Sequence, residues 1–445
     1  MQATAENPSL ARQLYTMTWP MLFGVLSLMT FQLADSAFVG QLGRDPLAAL
    51  GFTLPMQQLI IGLQVGLGIA TTAIVSRTLG AGDELRAFRL GGLIITVGGT
   101  LVFLVCVTLW FLQSHIMTAL GAEETLLPLI RRYWIPWLLA AWTGAVLYFG
   151  YSICRSHGDT KLPGYMMVAT SLTNIALDPL FIFTFGWGLP GAAWATITSF
   201  GIGCLVIYPK LLKRHWIRFD LSQLALWQAL KQLTGIMAPA MVSQLMPAAS
   251  AMLATALVAG FGSTAVAAWG LGTRLEFFSI VVVLALTMSM PPMIGRLLGA
   301  GDIEQIRKLV RIGVRFVVVW QLAIGLIWLV ASGLVSEIFT SDSDVQDVLA
   351  AYLVRVPLSY SGLGVCMLMV SVCNALGLAM RALLVSTLRL FLCFLPLLWL
   401  GSQINGLFGL MSGALVGNLF AGVMAYSFYR SGVARLKNEG ASAKA

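Results

Sequence analysis

Twelve apolar stretches set the terms on which this chain can fold, at approximately 16–40, 51–75, 90–112, 130–152, 164–184, 190–209, 236–259, 270–294, 312–331, 350–374, 381–400 and 407–429. Each approaches the roughly 20 residues that a helix needs to cross a hydrocarbon core about 30 Å thick. No water is present there to satisfy backbone groups, so a crossing segment is a helix or part of a closed barrel. Barrel strands alternate in polarity over about ten residues. These runs are longer and continuous, so the expected fold is an all-α polytopic membrane protein with twelve transmembrane helices. Composition agrees: 10% of residues are charged, against about 25% in an average soluble domain. Met1 to Thr18 are mixed and polar, without the pattern of a cleavable signal. The first span itself is therefore expected to direct insertion.

The net charge of +9 does not point to nucleic acid, because the basic residues lie in short loops between the apolar stretches. One set of loops holds Arg77, Arg86 and Arg89; Arg155 and Lys161; Lys210, Lys213, Arg214, Arg218 and Lys231; Arg296, Arg307, Lys308 and Arg311; Arg381; and Arg430, Arg435 and Lys437. The opposite set carries Glu123, Glu124, Glu337, Asp342, Asp344 and Asp347, with Arg44, Arg131 and Arg132 as exceptions. The positive-inside rule then puts both termini in the cytoplasm, and a bacterial inner membrane is the expected location. Cys106, Cys154, Cys204, Cys366, Cys373 and Cys393 form no CxxC pair and lie in or beside apolar stretches. They read as buried free thiols, and no metal site is expected.

The chain repeats itself. Arg-x-Leu-Gly-Ala-Gly-Asp occurs at 77–83 and again at 296–302, 219 residues later. At that same offset Pro20 recurs as Pro239, Gly51 as Gly270, Cys154 as Cys373, Gly158 as Gly377, and Arg12-Gln13-Leu14 as Lys231-Gln232-Leu233. Landmarks that agree in one register mark two homologous halves of six helices each. Six is even, so both halves enter from the same side and form parallel, pseudo-symmetric bundles of the kind some transporters use. The expected domains are 1–219, a linker 220–234, and 235–445. Within Asp220 to Leu233, Leu221, Leu224, Trp227, Leu230 and Leu233 recur at near-helical spacing, which predicts an amphipathic helix on the cytoplasmic surface.

Few acids lie at membrane depth. Asp35 is the clearest, inside the span that runs from Trp19 to Gly43. A carboxylate there costs about 2.5 kcal/mol or more on insertion scales, which marks it as functional. Pro20 and Gly24 share that span, and a helix holding proline can bend, so the two form a candidate hinge. Asp178 follows Asn174 by four residues in the fifth span, on one helix face, and Pro179 predicts an irregular backbone beside it. Near the outer end of that span, solvation would leave Asp178 an ordinary side chain. Asp35 plus 219 falls on Ala254, and the seventh and tenth spans carry no acid, so ion coupling is expected in the first half. Arg274 and Glu276 read as an interfacial pair at the start of the eighth span.

The paired Gly-Ala-Gly-Asp segments resemble a protease motif, but they sit in basic loops. There the glycines can end one helix and Asp83 and Asp302 can cap the next. Gly62, Gly66 and Gly68 allow close helix approach, and the 20 methionines suit either packing or a pliable cavity. An apolar setting disfavours a charged carboxylate while a nearby cation favours it. Proton and cationic cargo can therefore compete for one lobe, as an antiporter requires.

Asp35-Ser-Ala-Phe-Val-Gly-Gln-Leu-Gly, the doubled loops and the twelve spans resemble the multidrug and toxic compound extrusion (MATE) family over nearly the whole chain, most closely its DNA-damage-inducible protein F branch. The resemblance implies two bundles around a cavity open to one membrane face at a time, exporting cationic and amphipathic drugs. It also implies a first-lobe pocket of Asp35, Asn174 and Asp178, with Tyr133, Thr196 and Gln32 completing the polar network. The family's sodium-coupled branch carries acids in its seventh and tenth helices, and this chain does not, which favours protons as the coupling ion and no other cofactor. A monomer in contact with membrane lipid is expected, without nucleic acid or enzymatic activity. A lipid or oligosaccharide flippase of the same superfamily, a sodium-coupled antiporter and, more distantly, an intramembrane aspartyl protease remain alternatives.

Overall fold

The computed structural model describes residues 9–121, 124–220 and 222–442. Glu123 of the acidic loops, Leu221 of the linker and the first eight residues lie outside the described residues. Twelve helical spans follow one another. The first half holds α1 Leu10–Gln41, α2 Arg44–Gly80, α3 Glu84–Phe111, α4 Leu127–Ser156, α5 Lys161–Thr184 and α6 Leu189–Lys213. A short helix, Gln113–Ala119, lies between α3 and α4. The second half holds α7 Leu226–Ala259, α8 in two pieces (Ser263–Ser279 and Val281–Gly299), α9 Ile303–Phe339, α10 Ser343–Ala375, α11 over 379–404 and α12 over 407–442. No strand occurs among the described residues.

Two compact units result, Tyr15–Met241 and Val242–Ala445, the second also taking the described residues up to Leu14. In the first unit α4 is central, packed on α2, α3 and α6, and it buries Ile130, Trp134 and Phe149 completely. Gly68 of α2 faces the Tyr148 ring and Ser152 of α4, where a Cβ would collide, so this glycine sets the close approach of the two helices. In the second unit Trp269, Tyr352, Tyr360, Leu398 and Met411 form the core.

The repeat is visible in the turns. Gly82 and Gly301 both take positive φ (83° and 76°), and the carboxylates of Asp83 and Asp302 accept from the backbone N–H of Arg86 (3.1 Å) and Gln305 (3.0 Å). These aspartates are therefore helix caps, as their position in the loops suggested. Gly158 and Gly377 end α4 and α10 with matching φ of 83° and 76°.

Two expectations are corrected. The linker is not a separate surface helix: 222–224 form turns, and from Leu226 one helix runs to Ala259, through Gly235, Pro239 and Pro247. The eighth span is broken at Ile280 (φ −90°, ψ 3°), without proline or glycine at the break. Its cause is side-chain insertion from α9, where Gln321 Nε2 donates to the Ser279 carbonyl (3.1 Å) and Trp328 Nε1 to the Ser279 hydroxyl (2.8 Å). That carbonyl is then shared away from the helical ladder. The last two spans are joined by only Asn405 and Gly406, the latter at φ 54°, and they pack through Gly401 and Gly409, whose backbones leave no room for a Cβ.

Replacing Asp83 or Asp302 by Ala should lower stability by about 0.5–2 kcal/mol each, and the two losses should add because the caps share no bonding partner. Thermal unfolding in detergent measures both, and a strongly unequal pair would break the equivalence of the two turns.

Candidate functional site

The site begins with how α1 is seated. Pro20 and Gly24 of α1 lie against Gly164 and Met167 of α5: a Cβ on Gly164 would stand 2.5 Å from the Pro20 carbonyl oxygen, and one on Gly24 2.8 Å from Met167 Sδ. Edge-on aromatic contacts fix the other end of the helix, Phe31 with Phe200 of α6 and Phe38 with Phe183 of α5, each at 6.4 Å between ring centroids. α1 itself is helical through Pro20. This seating places Asp35, about 22 Å along the helix from Pro20 at 1.5 Å per residue, beside α5 and α4.

On α5, Asn174 and Asp178 are fully buried, each with 0% exposure. Asp178 is thus no solvated end residue. Pro179 after it has no N–H to return to Ile175, and the chain widens into a π turn over Leu180–Thr184. The Asn174 amide joins α5 to α6. With its nitrogen toward the carboxylate it donates to Asp178 Oδ2 (2.9 Å), and its oxygen accepts from the Thr196 hydroxyl (3.0 Å) and backbone N–H (3.2 Å). Ser199, one turn along α6, lies 3.4 Å from the same amide and is fully buried.

Asp35 lies within electrostatic reach of both Asp178 and the buried Tyr133 of α4. Its Oδ1 is buried without a hydrogen-bond partner. The ion pairs found among the described residues join Arg89 to Asp220, Arg214 to Asp159, and Glu304 to Arg307 and Lys437, so none takes up either acid. Two carboxylates within electrostatic reach in a low dielectric repel when both are charged. A proton or a monovalent cation relieves that repulsion, and this is the chemistry the arrangement offers.

The structure therefore brings together Asp35, Tyr133, Asn174, Asp178 and Thr196. It does not bring in Gln32, whose side chain is exposed while its carbonyl accepts from Ser36 Oγ (2.9 Å). Ser199 was missed by sequence reasoning, although its place one turn beyond Thr196 on the same face was a readable signal.

The second unit holds a charge cluster that the sequence reading misassigned. Arg274 is exposed, and Glu276 turns inward instead, accepting from the buried Tyr352 hydroxyl (3.3 Å) within electrostatic reach of Arg389. Arg389 opens a π turn, Arg389–Phe394, in the middle of α11. Gly272 makes room for this cluster, since a Cβ there would meet the Tyr352 ring at 2.6 Å. An arginine eight residues inside the apolar run from 381 was the signal for it.

A twelve-span helical chain built from two repeats, with acids inside its apolar spans, has the architecture of a membrane transporter and not of an enzyme. The profile of the MatE family matches residues 20–180 and again 239–400, starting 219 residues apart, the offset of the repeat. The chain belongs to this family. Its solved neighbours include the MATE transporter VcmN of Vibrio cholerae, in a bent form and as an aspartate-to-asparagine variant, each 54% identical over 96% of this chain and 97% of that one, with a TM-score of 0.94. Relatives include the FAD transporter of Shewanella oneidensis, 32% identical over 94% of each chain, and the multidrug export protein MepA of Staphylococcus saprophyticus, 25% identical over 91% of this chain and 89% of that one.

Replacing Arg389 alone by Met should destabilise the protein by about 0.5–3 kcal/mol, because it removes the cation within reach of the half-buried Glu276. Adding Glu276→Gln should restore most of that loss. Thermal unfolding in detergent measures it, and a double variant no better than Arg389→Met would show that the two charges do not depend on each other.

Proposed function

We propose that the chain exports cationic, amphipathic compounds across a bacterial inner membrane by proton antiport with alternating access, both termini facing the cytoplasm. The observation that carries this reading is the pair Asp35 and Asp178, within electrostatic reach of each other, without a basic partner among the described ion pairs, and with one carboxylate oxygen of Asp35 left buried and unbonded. In this role the two acids take up protons as cargo leaves and release them as cationic cargo arrives. Asn174 and Thr196 hold Asp178 in place, and Tyr133 closes the apolar side of Asp35. Gln32 is the most peripheral member of the network. Protonation of Asp35 changes what α1 can bond to, and Pro20 and Gly24, set against Gly164, are where α1 would bend. The VcmN neighbour's bent form supports such a change of shape, and MepA's name supports drug export.

Competition between proton and cation amounts to a coupling of about 5- to 150-fold in affinity. The sign is fixed: a cationic drug binds the ionised acids, so affinity should rise with pH. Ethidium binding to purified protein should therefore tighten from acid to neutral pH. Asp35→Asn and Asp178→Asn should flatten that dependence, and in proteoliposomes Asp35→Asn should abolish efflux driven by a proton gradient. Efflux that survives Asp35→Asn, or that a sodium gradient alone drives, would overturn the reading.

A second reading rests on the Shewanella relative and on Arg389 and Arg355, cations within the eleventh and tenth spans, the latter over the Phe408 ring at 5.3 Å. In that reading the cargo is a flavin dinucleotide, an anion. Transport of FAD without ethidium transport by the same vesicles would select it.

A further inference from the structure

Arg131 and Arg132 break the charge pattern of their loop set, and the structure gives them a setting. An open groove runs between α3 and α4 on the outside of the first unit, lined by Phe103, Cys106 and Trp110 of α3 and by Ile135, Leu138 and Trp142 of α4, with Val107 and Leu139 beside them. Its lining is almost wholly apolar. Trp142 closes one end, its indole N–H donating to the Gly99 carbonyl (3.0 Å) and its ring set edge-on to Phe103 at 6.1 Å. At the other end the buried Trp134 donates to the Leu109 carbonyl (3.2 Å), which fixes the register of the two antiparallel helices.

The α4 residues of the groove fall at 135, 138, 139 and 142, one face of the helix. Arg131 and Arg132 continue that same face by one turn, toward the end where α4 begins. Both are exposed, and neither makes an ion pair among the described residues. Helical side chains lean toward the N-terminus, so both guanidiniums are directed toward the membrane surface, where long basic side chains reach. From Arg131 to Trp142 is about 16 Å along the helix at 1.5 Å per residue. That is about half of a hydrocarbon core of roughly 30 Å, the depth of one leaflet.

We propose that this groove binds an anionic phospholipid of the surrounding bilayer, with one acyl chain between α3 and α4 and the headgroup phosphate held by Arg131 and Arg132. The groove supplies the apolar fit and the leaflet-length depth. The arginines supply the preference for a net negative headgroup, since a zwitterionic lipid returns part of that attraction through its own cation. This site is separate from the acids of α1 and α5, and it stands whether the cargo is a drug or a flavin.

The test uses the full chain in phosphatidylcholine vesicles containing a small fraction of lipid brominated on its acyl chains. Tryptophan quenching reports occupancy, because Trp110 and Trp142 line the groove. Brominated phosphatidylglycerol should quench more strongly than brominated phosphatidylcholine, with a binding preference of about fivefold, the scale of a basic side chain at a membrane surface. The excess should fall in Trp142→Phe, vanish in Arg131→Gln/Arg132→Gln, persist in Arg131→Lys/Arg132→Lys, and shrink with added salt in the unaltered protein. Equal quenching by the two lipids would overturn the proposal. So would an excess that is insensitive to salt, or one retained in the glutamine variant.

Discussion

A carboxylate inside hydrocarbon must be neutralised, hydrogen-bonded or paired, and the first unit is arranged around which of these each acid receives. Asp178 receives an amide hydrogen bond from Asn174, itself held by α6. Asp35 receives none at Oδ1 and instead stands beside a second acid. The glycine–proline contact seats one end of α1 on α5, where a Cβ at Gly164 or Gly24 would collide with the facing helix.

Breaks in regular helix recur where polar groups are handled. α5 widens into a π turn just after Asp178, α11 does so at Arg389, and α8 breaks one turn beyond Glu276. In each case a backbone carbonyl is freed from its usual partner, and irregular backbone at membrane depth is tolerated only where protein surrounds it. The physical causes differ: a proline at 179, inserted side chains of Gln321 and Trp328 at 279, and Pro396, which has no N–H for the Leu392 carbonyl, just past the turn at 389–394. Their coincidence with Asp178, Glu276 and Arg389 means that the chain spends its least stable backbone where its charges lie.

The two halves share a frame and diverge in content. The capped turns at Asp83 and Asp302 are nearly superposable in their bonding, and the glycines at 158 and 377 match in φ. Yet the first half concentrates acids with no base, while the second sets Glu276 against Arg389 and Tyr352. Glu276 has a cation and a hydroxyl within reach, whereas the two acids of the first half have no basic group among the described ion pairs. For this reason the ion coupling proposed above is assigned to the first half.

Much was legible from the chain alone. The lengths of the apolar runs fixed helix over barrel, the 219-residue offset fixed the two halves, and loop chemistry fixed the caps, because each depends on interactions only a few residues long or on strict repetition. Asp35, Asn174 and Asp178 were readable because a polar residue in an apolar run carries its cost wherever it lies. What only the tertiary structure decided was who meets whom. Gln32 stays exposed although it is one turn from Asp35, Ser199 joins Asn174 across helices, and Glu276 turns away from its neighbour Arg274 toward Arg389, over a hundred residues on. The rotation of a helix about its axis is set by the surfaces packed against it, and no local pattern of residues records those surfaces.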